Sequence, residues 1–147
     1  MKKNKYPISI IALLLLIAAV AFTKKQTEPW RPDQLMPPVD LATIINSPAD
    51  TKPIIINIGP AGLIKGAVYI GPVNKKENLN KLKQFLSIES KNKEIVIYCG
   101  CCPFKNCPNI RPAFSLLNSM KFIEHKLLDL PRNLKVDWID HGYPMKR

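Results

Sequence analysis

All four cysteines of the chain fall within the stretch YCGCCPFKNCPNIRPAF, residues 98–114, as Cys99, Cys101, Cys102 and Cys107. Thiols so gathered can do three kinds of chemistry: attack as nucleophiles, exchange disulfides, or bind a soft metal ion. A stapling role fits poorly. The longest loop that any pair could close runs from Cys99 to Cys107, and so short a bridge constrains little of the unfolded chain.

Each chemistry makes its own demand on neighbouring residues. A nucleophilic thiol must be partly ionised, and helix N-termini and nearby cations lower a cysteine pKa well below about 8.5. Cys99 follows an apolar β-branched run at 95–98, and a helix is expected to begin near Pro112, since proline is favoured at the first helical position. The free N–H groups of that helix would face the loop. Arg111, with its planar fork of donors, could clamp a sulfonate or phosphate group beside the sulfur. Cys99 attacking a sulfur carried by an anion would then hold it as a persulfide, the loop amides, Gly100 among them, helping to bind the charge. Lys105 could draw the anion in. Pro103, Pro108 and Pro112 restrict the loop's conformations.

The remaining thiols open other routes. One of Cys101, Cys102 and Cys107 could resolve an oxidised Cys99 through a disulfide, and a Cys102–Cys107 bridge could pin the loop. Cys99-x-x-Cys102 has zinc-like spacing, and Cys99, Cys101, Cys102 and Cys107 together could surround copper(I) or zinc. A structural zinc site normally draws a second ligand pair from a distance, yet His125 and His141 are the only histidines and have no paired neighbours.

The elements that must position this loop are legible from periodicity. The continuous β-branched run at 54–56 suits a strand covered on both faces, as in a parallel sheet; 67–70 reads as a second short strand, 94–98 as the clearest buried strand and 126–130 as a last strand. Helices are expected over 40–46, over the stripe Leu79, Leu82, Phe85, Leu86 with Asn74 or Asn78 as cap, over the stripe Ala113, Leu116, Leu117, Met120, and over 133–141. Strands alternating with helices argue for an α/β fold, a parallel sheet with helices on both faces. In open α/β sheets ligands bind beyond the carboxyl ends of strands, where Cys99 stands.

Residues 1–21 combine Lys2, Lys3 and Lys5 with an apolar run ending in Ala19-Val20-Ala21. They read as an export signal, or as a membrane anchor if retained. Residues 22–38, rich in proline, read as a linker to one domain over 39–147. Loss of the three lysines in 1–21 would lower the formal charge from +11 to +8. The other lysines are dispersed, which speaks against a nucleic-acid partner. A periplasmic or cell-envelope location follows, where disulfides can persist.

Three segments resemble the rhodanese family of sulfurtransferases. IVIYC (95–99) is similar to the family's strand leading to its active cysteine, AGLIKGAVYI (61–70) to its Gly-His-Ile-Pro-Gly-Ala segment, and VDWIDHGYPM (136–145) to its closing Trp-x-x-x-Gly-Tyr-Pro. The resemblance spans about 40–145 and implies a three-layer rhodanese-like fold with a parallel sheet of about five strands. It also implies Cys99 as the persulfide-forming residue, thiosulfate or a related donor, a thiophilic acceptor, and no cofactor. The chain departs from the pattern in three places. Residues 100–110 separate Cys99 from Arg111, a longer loop than the family's; Asn57-Ile58-Gly59 stands where Asp-x-Arg is typical; Leu63 replaces the customary histidine. The rival expectation is a thiol-disulfide or soft-metal module on the same fold, with a redox partner protein. A further alternative is a degenerate domain that only binds a partner.

Overall fold

A computed structural model describes residues 28–147; the export-signal reading of 1–21 lies outside them. Five strands form one fully parallel sheet: β1 (Leu35–Met36), β2 (Ile54–Asn57), β3 (Val68–Tyr69), β4 (Ile95–Tyr98) and β5 (His125–Leu128), in the order β1-β5-β4-β2-β3. The helices are α1 (Pro38–Asn46), α2 (Lys76–Ser87) and α3 (Ile110–Ser119). No helix among the described residues is long and apolar enough to cross a membrane.

Alternation along the central strands explains the layers. Ile95 and Ile97 face one side with Ile56, and there they meet Leu82 and Leu86 of α2 and Ala113, Phe114 and Leu117 of α3. Val96 and Tyr98 face the other side with Ile55, against Leu41, Ala42 and Ile45 of α1 and Trp138. All of β4 is buried. A strand covered on both faces must be apolar at every position, which is why its sequence shows a continuous run rather than alternation. The result is a three-layer α/β fold, as the strand–helix alternation requires.

Several boundaries differ from expectation, each for a local reason. Helix α1 starts at Pro38, two residues earlier than the apolar pattern suggests, because proline costs nothing in a first turn. Neither asparagine caps α2: Lys75 holds that position without a side-chain bond, while Asn78 Nδ2 donates to the Pro72 carbonyl (3.0 Å) and the Asn74 amide donates to Asn109 Oδ1 (3.0 Å). Strand β5 begins at His125 and stops before Asp129, whose amide donates to the Met36 carbonyl (2.9 Å). The closing helix shrinks to a π-helical turn, Lys135–Ile139. The Asp137 carboxylate folds back to accept the Arg132 and Asn133 amides (2.7 and 2.8 Å), and Gly142 turns away at φ +71°.

The largest correction concerns the segment read as linker. From Trp30 onward it is part of the fold: a 3-10 turn at Pro32–Gln34 leads into β1, the edge strand beside β5. Trp30 is buried, edge-on to Phe104 (5.9 Å between ring centroids) and to Phe114 (5.8 Å). Two strand residues are too few to give a periodic signal, and proline-rich composition hides them. Trp30→Ala is therefore expected to cost about 3 kcal/mol, as removal of buried aromatics does. Chemical denaturation reads this directly, and a change near zero would restore the linker reading.

Candidate functional site

The chain order places a topological switch between β2 and β4. From β2 the chain moves outward to β3, and from β4 it moves the opposite way to β5, so a crevice opens at the carboxyl ends of these neighbours. Cys99 follows β4 there and Gly59 follows β2. The two touch: a Cβ placed on Gly59 would lie 2.2 Å from Cys99 Sγ. Asn57 shapes this approach, its Oδ1 accepting the Gly59 amide (2.8 Å) and its Nδ2 donating to the Ala61 carbonyl (2.8 Å). A bulky residue at 59 would occupy the space that holds the thiol.

Gly100 then takes φ +75°, a conformation suited to glycine, and a Cβ there would meet Leu134 Cβ at 2.7 Å. The turn sends Cys101 into solvent and leaves Cys102 half-buried. A 3-10 turn at Phe104–Asn106 anchors the loop by burying Phe104 under Trp30, and Cys107 returns to the interior. Helix α3 begins at Ile110 rather than Pro112. Its first amides need no intrahelical acceptor, so Pro112 is tolerated inside the first turn.

The sulfurs converge. Cys99 Sγ lies 3.2 Å from Cys101 Sγ, which lies 3.4 Å from Cys102 Sγ. The sulfurs of Cys99, Cys101 and Cys107 are all within 4.8 Å of one another. Asn109, buried at the start of α3, donates Nδ2 to Cys99 Sγ (3.3 Å) and at longer range to Cys107 Sγ (3.9 Å). It was not among the candidates from sequence. An asparagine just before a helical stripe signals a cap, but its side chain serves the thiols and the Asn74 amide instead.

Protons are shared unequally within this group. Cys107 is held down to about 5, first by the Cys99 thiol beside it and then by the Asn109 and Ile110 amides at the helix start, against the opposing effect of burial. Cys99 is pushed up, first by the neighbouring Cys107 and then by burial. Burial and the adjacent sulfurs push Cys102 up to about 12. The helix start and loop thus favour negative charge among these sulfurs and lower Cys107, while the neighbouring sulfur and burial raise Cys99.

Arg111 and Lys105 also differ from expectation. Arg111 Nη2 pairs with Glu28 Oε1 at 2.7 Å and its guanidinium lies 5.6 Å from the Trp30 ring centroid, so it holds the N-terminal segment against the start of α3. Lys105 lies along the Phe104 ring, 5.9 Å from its centroid, above a groove shared with Asp129. His125 is buried, its Nε2 between Asn118 Oδ1 (2.8 Å) and Gln34 Nε2 (3.3 Å), and His141 stacks on Tyr143. The site is therefore a thiol site without imidazole.

No protein-family model matches the chain, and no curated protein is significantly similar to it.

A pH dependence follows from the Cys107 thiolate. Its folded-state value of about 5 lies below the usual thiol value of about 8.5, so the stabilisation is full above pH 8.5 and is lost as pH falls towards 5. Cys99 acts oppositely, costing stability once the unfolded chain ionises in alkali. Thiolate ultraviolet absorbance of the reduced, metal-free chain is expected to titrate with a midpoint near 5, and that midpoint should vanish in Cys107→Ser. A first thiolate emerging only near 8.5 would refute the assignment.

Proposed function

We propose that the loop is a thiolate centre for a soft metal ion, carried on a rhodanese-like α/β scaffold. The observation that carries this reading is the convergence of the Cys99, Cys101 and Cys107 sulfurs within 4.8 Å of one another. Thiolates select copper(I) or zinc among biological cations. Reduced and close together, these sulfurs compete for negative charge, one ionised at the expense of its neighbours. A cation placed among them relieves that competition, and its binding would release protons. The exposed Cys101 supplies a way in. Two thiols of the same cluster can give up two electrons and two protons to a partner disulfide, becoming a disulfide themselves, so redox exchange with a partner belongs to the same reading.

Sulfur transfer is the second reading, favoured by the position of Cys99 at the carboxyl end of a central parallel strand. It asks more of the site. The Cys99 sulfur would have to meet a donor while only 1% exposed and packed against Gly59, and Arg111 would have to leave Glu28 to bind the donor's charge.

Titration of the reduced, metal-depleted chain with copper(I) and with zinc(II) tests the proposal. Uptake of a single ion, lost when Cys99 and Cys107 are both changed to serine, is the expected outcome. If neither ion binds while thiosulfate adds one sulfur atom to Cys99 by intact mass, metal binding gives way to sulfur transfer.

A further inference from the structure

Resting on the metal-centre reading, we infer that the site takes copper(I) on the sulfurs of Cys99, Cys101 and Cys107, and that Cys102 is an exchange ligand passing the ion to an external thiol. The first half follows from which sulfurs share a common centre. The mutually close set is the triad of Cys99, Cys101 and Cys107, with no carboxylate or imidazole in it. Structural zinc sites are almost always tetrahedral and four-coordinate. Here His125 is occupied by Gln34 and Asn118 on β5, and His141 stacks on Tyr143 near the chain's end. A monovalent soft cation is satisfied by three thiolates, and the excess negative charge would be met by Asn109 Nδ2, which reaches Cys99 and Cys107.

The second half follows from burial and order along the loop. Cys99 and Cys107 are buried, Cys101 is exposed, and half-buried Cys102 sits outside the triad beside Cys101, 3.4 Å away. An incoming thiol at the exposed Cys101 therefore finds Cys102 beside it, a sulfur onto which the ion can step from a ligand already in contact with it. In the exchange, a Cu–S bond to Cys102 forms as the bond to Cys99 breaks, and the proton of the Cys102 thiol moves to the freed Cys99 thiolate. Acceptor thiols then displace Cys102, Cys101 and Cys107 in turn, each new Cu–S bond replacing an old one and each acceptor proton going to the departing sulfur. Copper stays monovalent and no electron changes hands. The acceptor chemistry is that of a small thiol or a cysteine pair on another protein.

The test uses the full chain, reduced and free of metal, with copper(I) alone, zinc(II) alone, and glutathione as acceptor. X-ray absorption of the copper(I) form should show a three-sulfur shell. Cys101→Ser should weaken copper(I) binding by about 100-fold or more, the upper end of what even outer-shell changes cost. Cys102→Ser should leave affinity nearly unchanged but slow transfer to glutathione by about tenfold, equal to about 1.4 kcal/mol of barrier. The inference is overturned if Cys102→Ser loses affinity as Cys101→Ser does, if transfer is not slowed, or if zinc(II) binds more tightly with four sulfurs. Failure of both ions to bind would instead overturn the metal-centre reading itself.

Discussion

The close approach of Gly59 to the sulfur of Cys99 is the contact on which the site depends. Strands β2 and β4 pair in register from Ile54–Ile95 to Asn57–Tyr98, so the residues that follow them emerge side by side. Parallel pairing brings two loops out at the same end, and one must lack a side chain if the other is to seat a thiol there. Asn57, itself at the end of β2, holds the Gly59 amide in place. Tyr98 points to the opposite face, where its hydroxyl donates to the Gly62 carbonyl and accepts from the Ile64 amide. The pleat that sends Tyr98 one way sends Cys99 the other, into the cluster with Phe104, Cys107 and Ile110.

Once Cys99 is buried, the electrostatics of the loop follow. A thiolate is costly in the interior unless donors meet it, and Asn109 Nδ2 serves both buried sulfurs, Cys99 at 3.3 Å and Cys107 at 3.9 Å. Cys107 meets the amides of Asn109 and Ile110, whereas Cys99 has burial and a charged neighbour acting against it. Asn109 ties the two halves together: its amide nitrogen reaches both buried sulfurs and its carbonyl oxygen holds the loop before α2 through the Asn74 amide. A scaffold of this kind can keep several sulfurs near one point without a disulfide.

The N-terminal segment closes the same region from outside. Trp30 presses on Phe104 of the cysteine loop and on Phe114 of α3, and Arg111 lies over Trp30 while pairing with Glu28. Asn118 adds a bond to the Pro29 carbonyl (2.9 Å). The loop is thereby anchored at Phe104 by packing and at Cys107 by the helix start, and of its four cysteines Cys101 and Cys102 are the ones that reach water. Metal exchange and redox chemistry with a partner would both have to occur at those two sulfurs.

The strongly periodic parts of the architecture were legible without coordinates. The runs at 54–56 and 94–98 announced buried parallel strands, the stripes through Leu82 and Leu86 and through Ala113 and Leu117 announced their covering helices, and the cysteine spacing announced a sulfur site at a strand's end. These features are local: period and composition are properties of a few consecutive residues. What the sequence alone did not determine depends on contacts between distant segments. Edge strand β1 exists because Leu35 and Met36 pair with Leu127 and Leu128. Arg111 faces outward because Glu28 and Trp30 are there to receive it, although its position beside the loop suggests an anion clamp. Which sulfurs are buried and which meet N–H donors depends on packing that one-dimensional spacing does not record. Sequence determined that the thiols would be neighbours; tertiary structure decided that Cys99 and Cys107 are buried while Cys101 reaches water, because burial depends on segments far apart in the chain.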